Sequence, residues 1–246
     1  MTDRPIIFSA PMVRALLEGR KTQTRRLIKP APQPFLVDGA PCEVALEHVE
    51  GDPWPRIRLG RVITAQEVRY RVGMRLWVRE NCWAQHNGVD GDGVRYPADG
   101  GFIRAASSAA AVDAWDRLNC YAHSRHPDNA TDSGQLVPSI HMPRWASRLT
   151  LTVTDVRVQK ARDISREDAL AEGVRWWDCQ EGYSVNDDGS FYHGGDPREA
   201  WWQFFSYLHR PRTSTGDISD YLEGRPEWDP EVVALSFTVE QRNIDA

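Results

Sequence analysis

Short segments with an apolar period of two are separated along this chain by longer polar stretches. Three of them carry the alternation of a strand. In Arg75-Leu76-Trp77-Val78-Arg79-Glu80, Leu76 and Val78 share one face, while Arg75, Trp77 and Arg79 share the other. From Arg148 to Val158, Leu149, Leu151 and Val153 alternate with threonines, but Val156 and Val158 have the opposite parity. A bulge or bend near Thr154-Asp155 is therefore expected, as at the corner of a small barrel. The last strand is Val233 to Val239, with Val233, Leu235, Phe237 and Val239 facing inward.

Caps and stops mark three helices. Ser9 at the N-cap and Pro11 in the first turn predict a short helix from Pro11 to Glu18, closed by Gly19. Ser165-Arg166-Glu167-Asp168 has capping-box spacing ahead of Ala169 to Glu172, with Gly173 as the stop. Asp196-Pro197 opens a third helix, in which Trp201, Trp202, Phe204, Phe205 and Leu208 leave little polar circumference. Such a helix serves a core or an interface more often than a ligand. The stretches 84–101, 120–137, 178–196 and 210–230 read as insertions. The expected class is α+β, mainly β, in a single domain over 1–246.

Charge narrows the range of partners. A net charge of -5 argues against a protein that coats nucleic acid by phosphate neutralisation. Residues 1–30 nevertheless hold seven Lys or Arg against two acids, whereas 177–246 hold five against fourteen. No apolar run approaches the roughly 20 residues that cross a bilayer, and the N-terminus lacks a signal-peptide pattern, so no membrane partner and a cytoplasmic location are expected. Cys42, Cys82, Cys120 and Cys179 are scattered and read as free thiols. His123 and His126, near Cys120, lack the spacing of familiar zinc sites. No metal and no cofactor are expected.

Three blocks of sequence support a resemblance: Pro5 to Ser9 with Gly19-Arg20-Lys21-Thr22-Gln23-Thr24-Arg25-Arg26, then Gly73 to Glu80, then Pro138 to Arg148. Together they resemble the ASCH-domain proteins of tailed phages and prophages. The resemblance implies a small PUA-like β-barrel flanked by helices, in the cytoplasm of a bacterial host, with a cleft suited to RNA or a modified nucleoside or nucleotide. DNA is the alternative nucleic acid. Some small members of the family remove the acetyl group of N4-acetylcytidine, others are described as ribonucleases, and a non-catalytic phage structural or interaction protein is a further alternative. In the amidohydrolase branch the catalytic group is a Lys, a Thr three residues later and a downstream Glu. The matching positions are Lys21, Thr24 and Glu172.

A threonine hydroxyl attacks only when a base takes its proton, so Thr24 needs a neutral Lys21 or the Glu172 carboxylate beside it. Side chains three apart on a strand face opposite ways. Lys21 and Thr24 can share a cleft if the chain turns between Gly19 and Thr22 and the strand begins near Gln23. The Lys21 amine and Thr24 hydroxyl are then expected near hydrogen-bond reach, and side chains on opposite faces would exclude the hydrolase reading. Arg20, Arg25 and Arg26 are candidates for nucleotide binding and for depressing the pKa of Lys21. Arg75, Trp77 and Arg79 either stack a base and hold its phosphate or cap the barrel's apolar edge. His141 and Arg144 are further candidates for contacting RNA.

Overall fold

The structure is a computed structural model that describes residues 3–28, 36–37, 40–41, 44–48, 50–51, 54–59, 62–85, 91–105, 109–124, 136–178, 181–186, 193–209 and 229–245. It is α+β, with more strand than helix. The chain divides into two compact units, each gathered from separated segments. The first comprises Met1–Gly19, Met74–Thr152 and Val239–Ala246; the second comprises Arg20–Gly73 and Val153–Thr238.

In the first unit the strand Arg75–Arg79 is flanked on one side by the parallel strand Arg4–Ile7, with Arg4 opposite Leu76. On its other side lies the start of the strand Thr150–Lys160, antiparallel, with Thr150 opposite Trp77. Leu76, Trp77 and Val78 are all buried, so this strand is covered on both faces instead of alternating. Helix α1 (Ala10–Leu17) follows the first strand and buries Met12, Val13, Ala15 and Leu16. A second sheet has the order Phe102–Arg104, Gly93–Arg95, Cys82–Gln85, Leu136–Val137. Helix α2 (Ala109–Ser124) packs against it, and Trp115 Nε1 donates to the Gly93 carbonyl at 2.9 Å. Arg148 ties the Gly100 turn to the strand end: it meets both oxygens of Glu80 at 2.8 and 3.0 Å and Asp99 at 2.7 Å, above the Tyr96 ring.

Three of the stretches expected as insertions carry regular structure. Residues 84–101 hold the strand Gly93–Arg95 and the end of Cys82–Gln85, 120–137 holds the end of α2 and the strand Leu136–Val137, and 178–196 holds the strand Gly182–Ser184. The remainder of 120–137 up to residue 135, His126 included, lies outside the described residues, as do 210–228 and parts of 178–196.

In the second unit the strand Gln23–Leu27 pairs antiparallel with Glu231–Glu240, placing Thr24 opposite Leu235. The later residues of Thr150–Lys160 lie on the other side of Glu231–Glu240. Val232, Val233, Ala234 and Leu235 are buried in succession, the pattern of a strand covered on both faces, whereas Val239 is half-buried. Val156 and Val158, whose parity suggests a bend, are likewise half-buried, and the strand runs unbroken through Thr154-Asp155. Helices α3 (Arg166–Ala171) and α4 (Pro197–His209) pack together; Trp201, Trp202 and Phe205 of α4 are buried as the sequence suggests, whereas Phe204 is half-buried and Leu208 is exposed. A hairpin, Arg175–Trp177 with Gly182–Ser184, follows α3. No helix among the described residues is long and apolar enough to cross a membrane.

Candidate functional site

The segment after α1 turns where a turn is required. Gly19 adopts φ +72°, a region that L-residues other than glycine enter at a cost, and the strand begins at Gln23. Between these points, three successive residues cap three successive carbonyls at the end of α3. The Thr22 amide donates to Ala171 O at 2.8 Å, Lys21 Nζ to Glu172 O at 2.7 Å, and the Arg20 guanidinium to Gly173 O at 2.8 Å. The carbonyls of Ala171 and Glu172 are among those a helix leaves without internal partners, and cations are favoured beside them.

Helix α3 is itself closed at both ends. Ser165 Oγ accepts from the Asp168 amide at 3.0 Å. At the other end Gly173, at φ +102°, donates to Leu170 O while Val174 donates to Ala169 O. This is a Schellman closure, and it fixes Glu172 as the C-cap residue of the helix. A carboxylate there opposes the helix dipole, so something other than helix stability must favour it.

That partner is Lys21. Its amine meets Glu172 Oε2 at 2.7 Å, with the two side chains 1% and 6% exposed. The other oxygen, Oε1, accepts from Arg25 at 3.1 Å, and Arg25 also meets Asp168 Oδ2 at 2.6 Å. Asp168 and Glu172 stand four apart, on one face of α3. Arg157 reaches Asp168 at 3.4 Å, and the Arg25 guanidinium lies 5.5 Å from the Trp201 ring centre. Asp168, Arg157 and Trp201 have no functional signature in sequence. The four-residue spacing of Asp168 and Glu172 was the available signal, hidden because capping already accounts for Asp168.

Thr24 is buried, opposite Leu235. Strand alternation places it on the face of Arg26 and opposite to Gln23 and Arg25, and Arg25 accordingly lies 3.4 Å from the Gln23 side chain. The Glu172 carboxylate therefore has one oxygen on Arg25, from the face away from Thr24, and the other on Lys21. Arg26, on the face of Thr24, is within electrostatic reach of both Lys21 and Glu172.

Burial pulls the Lys21 ammonium below the ordinary lysine range; Glu172 opposes this shift, and Arg26 and Arg25 add to it. Burial also lowers Arg26, against the influence of Tyr70 and Glu172. Asp168 is pushed up by burial but held below the ordinary carboxyl value by Arg25, Gln23 and Arg157 together.

Arg75, Trp77, Arg79, His141 and Arg144 belong to the first unit. Trp77 is buried with the Arg79 guanidinium 5.1 Å from its ring centre. Arg79 donates to Met142 O at 3.0 Å and also to Ile140 O, and Arg75 donates to Ile244 O. Arg144 is held by Asp3 and Asp245, each at 2.6 Å. These arginines are thus engaged by the protein's own oxygens. His141 lines an open, mainly apolar cavity of about 330 Å³ with Ala114, Arg117, Leu118 and Pro143. No group of three or more potential metal ligands occurs among the described residues.

A scan against protein-family models, a search of curated proteins and a search of solved structures each returned no match.

Proposed function

We propose that this chain is an ASCH-type protein with a PUA-like barrel that binds a modified nucleoside, free or within RNA, and hydrolyses an acyl amide on a cytosine N4. The observation that carries this reading is the buried Lys21–Glu172 pair. A buried ion pair is poor value as a stabilising device, because apolar residues of similar volume commonly do as well without the desolvation cost. A lysine drawn toward its neutral form by burial, beside a carboxylate and three residues from a buried threonine, suits proton transfer to and from a nucleophile.

In this reading Thr24 Oγ attacks the acyl carbon while its proton passes to the neutral Lys21 amine. The tetrahedral intermediate collapses, breaking the C–N4 bond, and the Lys21 ammonium returns the proton to the departing amine. Water then attacks the threonyl ester with Lys21 again as base, releasing the carboxylate and restoring Thr24. Glu172 holds Lys21 in place throughout. Arg26, on the Thr24 face, is the cation best placed to balance charge developing on the acyl oxygen. Lys21 is only 1% exposed, so ligand access requires local opening. Such a site suits one inserted base better than a backbone laid across a surface.

The test is N4-acetylcytidine, with binding followed by calorimetry and products by chromatography. Release of cytidine and acetate that disappears in Lys21→Ala and Thr24→Ala supports the reading. Binding without turnover removes the chemical step, and neither binding nor turnover removes the nucleoside assignment.

A further inference from the structure

Arg25 reads at first as a phosphate ligand within a basic segment. The structure gives it different work. Its side chain is fully buried, with one terminal nitrogen on Asp168 at 2.6 Å and the other on Glu172 at 3.1 Å. Neither terminal nitrogen is presented to solvent for an anion. Asp168 is itself placed by the Ser165 cap and shared with Arg157, and Trp201 lies beside the guanidinium. The order Asp168, Arg25, Glu172, Lys21 is thus a chain of alternating charge, anchored on α3 at Asp168 and ending at an amine.

The carboxylate in this chain is divided between two cations that approach it differently. Lys21 comes from the turn before the strand, and Arg25 comes from the strand's face opposite to Thr24. With Glu172 to itself, Lys21 would be held as a closed ammonium–carboxylate pair, a poor acceptor of a hydroxyl proton. A second, permanently charged partner on Glu172 weakens that hold and adds a like charge near the amine.

We propose that Arg25, locked by Asp168, is a positioning residue that fixes the Glu172 carboxylate and shares its charge, so that Lys21 can exchange a proton with Thr24 and the leaving amine. The inference rests on the hydrolase reading above, but its direct readout does not. The charged groups acting on Lys21 are Glu172 at the end of α3 and Arg25 and Arg26 on the strand. Behind them, Asp168 and Arg157 act on Arg25, and Tyr70 acts on Arg26.

The chain has only three lysines, Lys21, Lys29 and Lys160, so the Lys21 side chain can be followed individually by NMR in full-length protein carrying 13C,15N-lysine. Its titration midpoint is compared in the wild type, Arg25→Gln and Arg25→Lys, with melting curves confirming that each variant folds. The midpoint is expected to rise by about one pH unit or more in Arg25→Gln, because both the like charge and the competition for Glu172 are lost. In Arg25→Lys, which keeps the charge but not the two-pronged reach, the rise should be smaller. Should Arg25→Gln fail to fold, that smaller rise carries the test. For N4-acetylcytidine, the rising limb of kcat/KM against pH should move upward with the midpoint. A midpoint unchanged in the folded variants overturns the inference, as does a shifted midpoint with a stationary pH–rate limb. A shifted midpoint in a chain whose wild type has no turnover keeps Arg25 as the residue that sets Lys21's ionisation and removes the hydrolase reading instead.

Discussion

At position 21 a methionine would fill much the same space as lysine and would bring no charge out of water. The comparison separates the two halves of the ion pair. Removing Lys21 leaves Glu172 with Arg25, whereas removing the Glu172 charge takes the paired carboxylate from buried Lys21 and leaves Arg25 on Asp168. Glu172→Gln is therefore expected to cost about 3–5 kcal/mol, and Lys21→Met distinctly less, in denaturant unfolding. Equal losses would mean that the carboxylate is not shared. Lys21 also predicts a pH dependence. Its pKa is lowered in the folded state from 10.5, so below that value the unfolded chain binds more protons. Its contribution to stability therefore rises with pH up to the ordinary lysine range and levels off above it. Buried Cys82, pushed up to about 12, works in the opposite sense above pH 9, so the informative quantity is the difference between wild type and Lys21→Met. That difference should grow in favour of the wild type as pH rises toward 10.5. A flat difference would show that Lys21 titrates alike in both states.

Among the elements, caps give the most direct contrast. Ser165 accepts a hydrogen bond from the Asp168 amide, while Ser9, in the equivalent place before α1, makes no capping bond from its side chain. Ser165→Ala should therefore lower stability by about 1 kcal/mol, and Ser9→Ala by less than about 0.5 kcal/mol. Gly19→Ala should cost about 1–2 kcal/mol through its positive φ alone, since an added Cβ meets no atom within 4 Å. These three caps and stops were legible in sequence because Ser, Pro and Gly signal through local backbone chemistry. So was the start of the strand at Gln23, which follows from the turn at Gly19. The α+β class and the presence of strands near 75–80, 148–158 and 233–239 were also legible, but their period of two did not reveal that 76–78 and 232–235 are covered on both faces. Helix α2 was not: its polar Asp113, Asp116, Arg117 and Asn119 hide a narrow apolar stripe around Trp115 and Leu118. Nor was the Arg25–Asp168 bond, which joins residues 143 apart in sequence. Runs of basic residues do not reveal which arginines point inward, and that decision belongs to tertiary packing.

For the whole molecule, the division into two units cuts across chain order. The last eight residues belong to the first unit, where Asn243 Nδ2 donates to the carbonyls of Arg144, Trp145 and Ser147, and Ile244 is buried. Truncation after Thr238 should thus destabilise the first unit by at least about 2 kcal/mol, seen as earlier loss of amide-exchange protection in residues 74–152. The acidic balance, net -5, bears on the ligand as well. A protein that grips six to ten phosphates loses about a thousandfold or more in affinity between roughly 50 and 200 mM salt. Binding of a nucleoside at Lys21 should change little over the same range. The most direct measurement remains release of cytidine and acetate from N4-acetylcytidine by the full-length wild type beside Lys21→Ala and Thr24→Ala. Turnover by the wild type and a loss of at least about a hundredfold in each variant are expected; an inert wild type, or variants as active as it, would contradict the hydrolase reading.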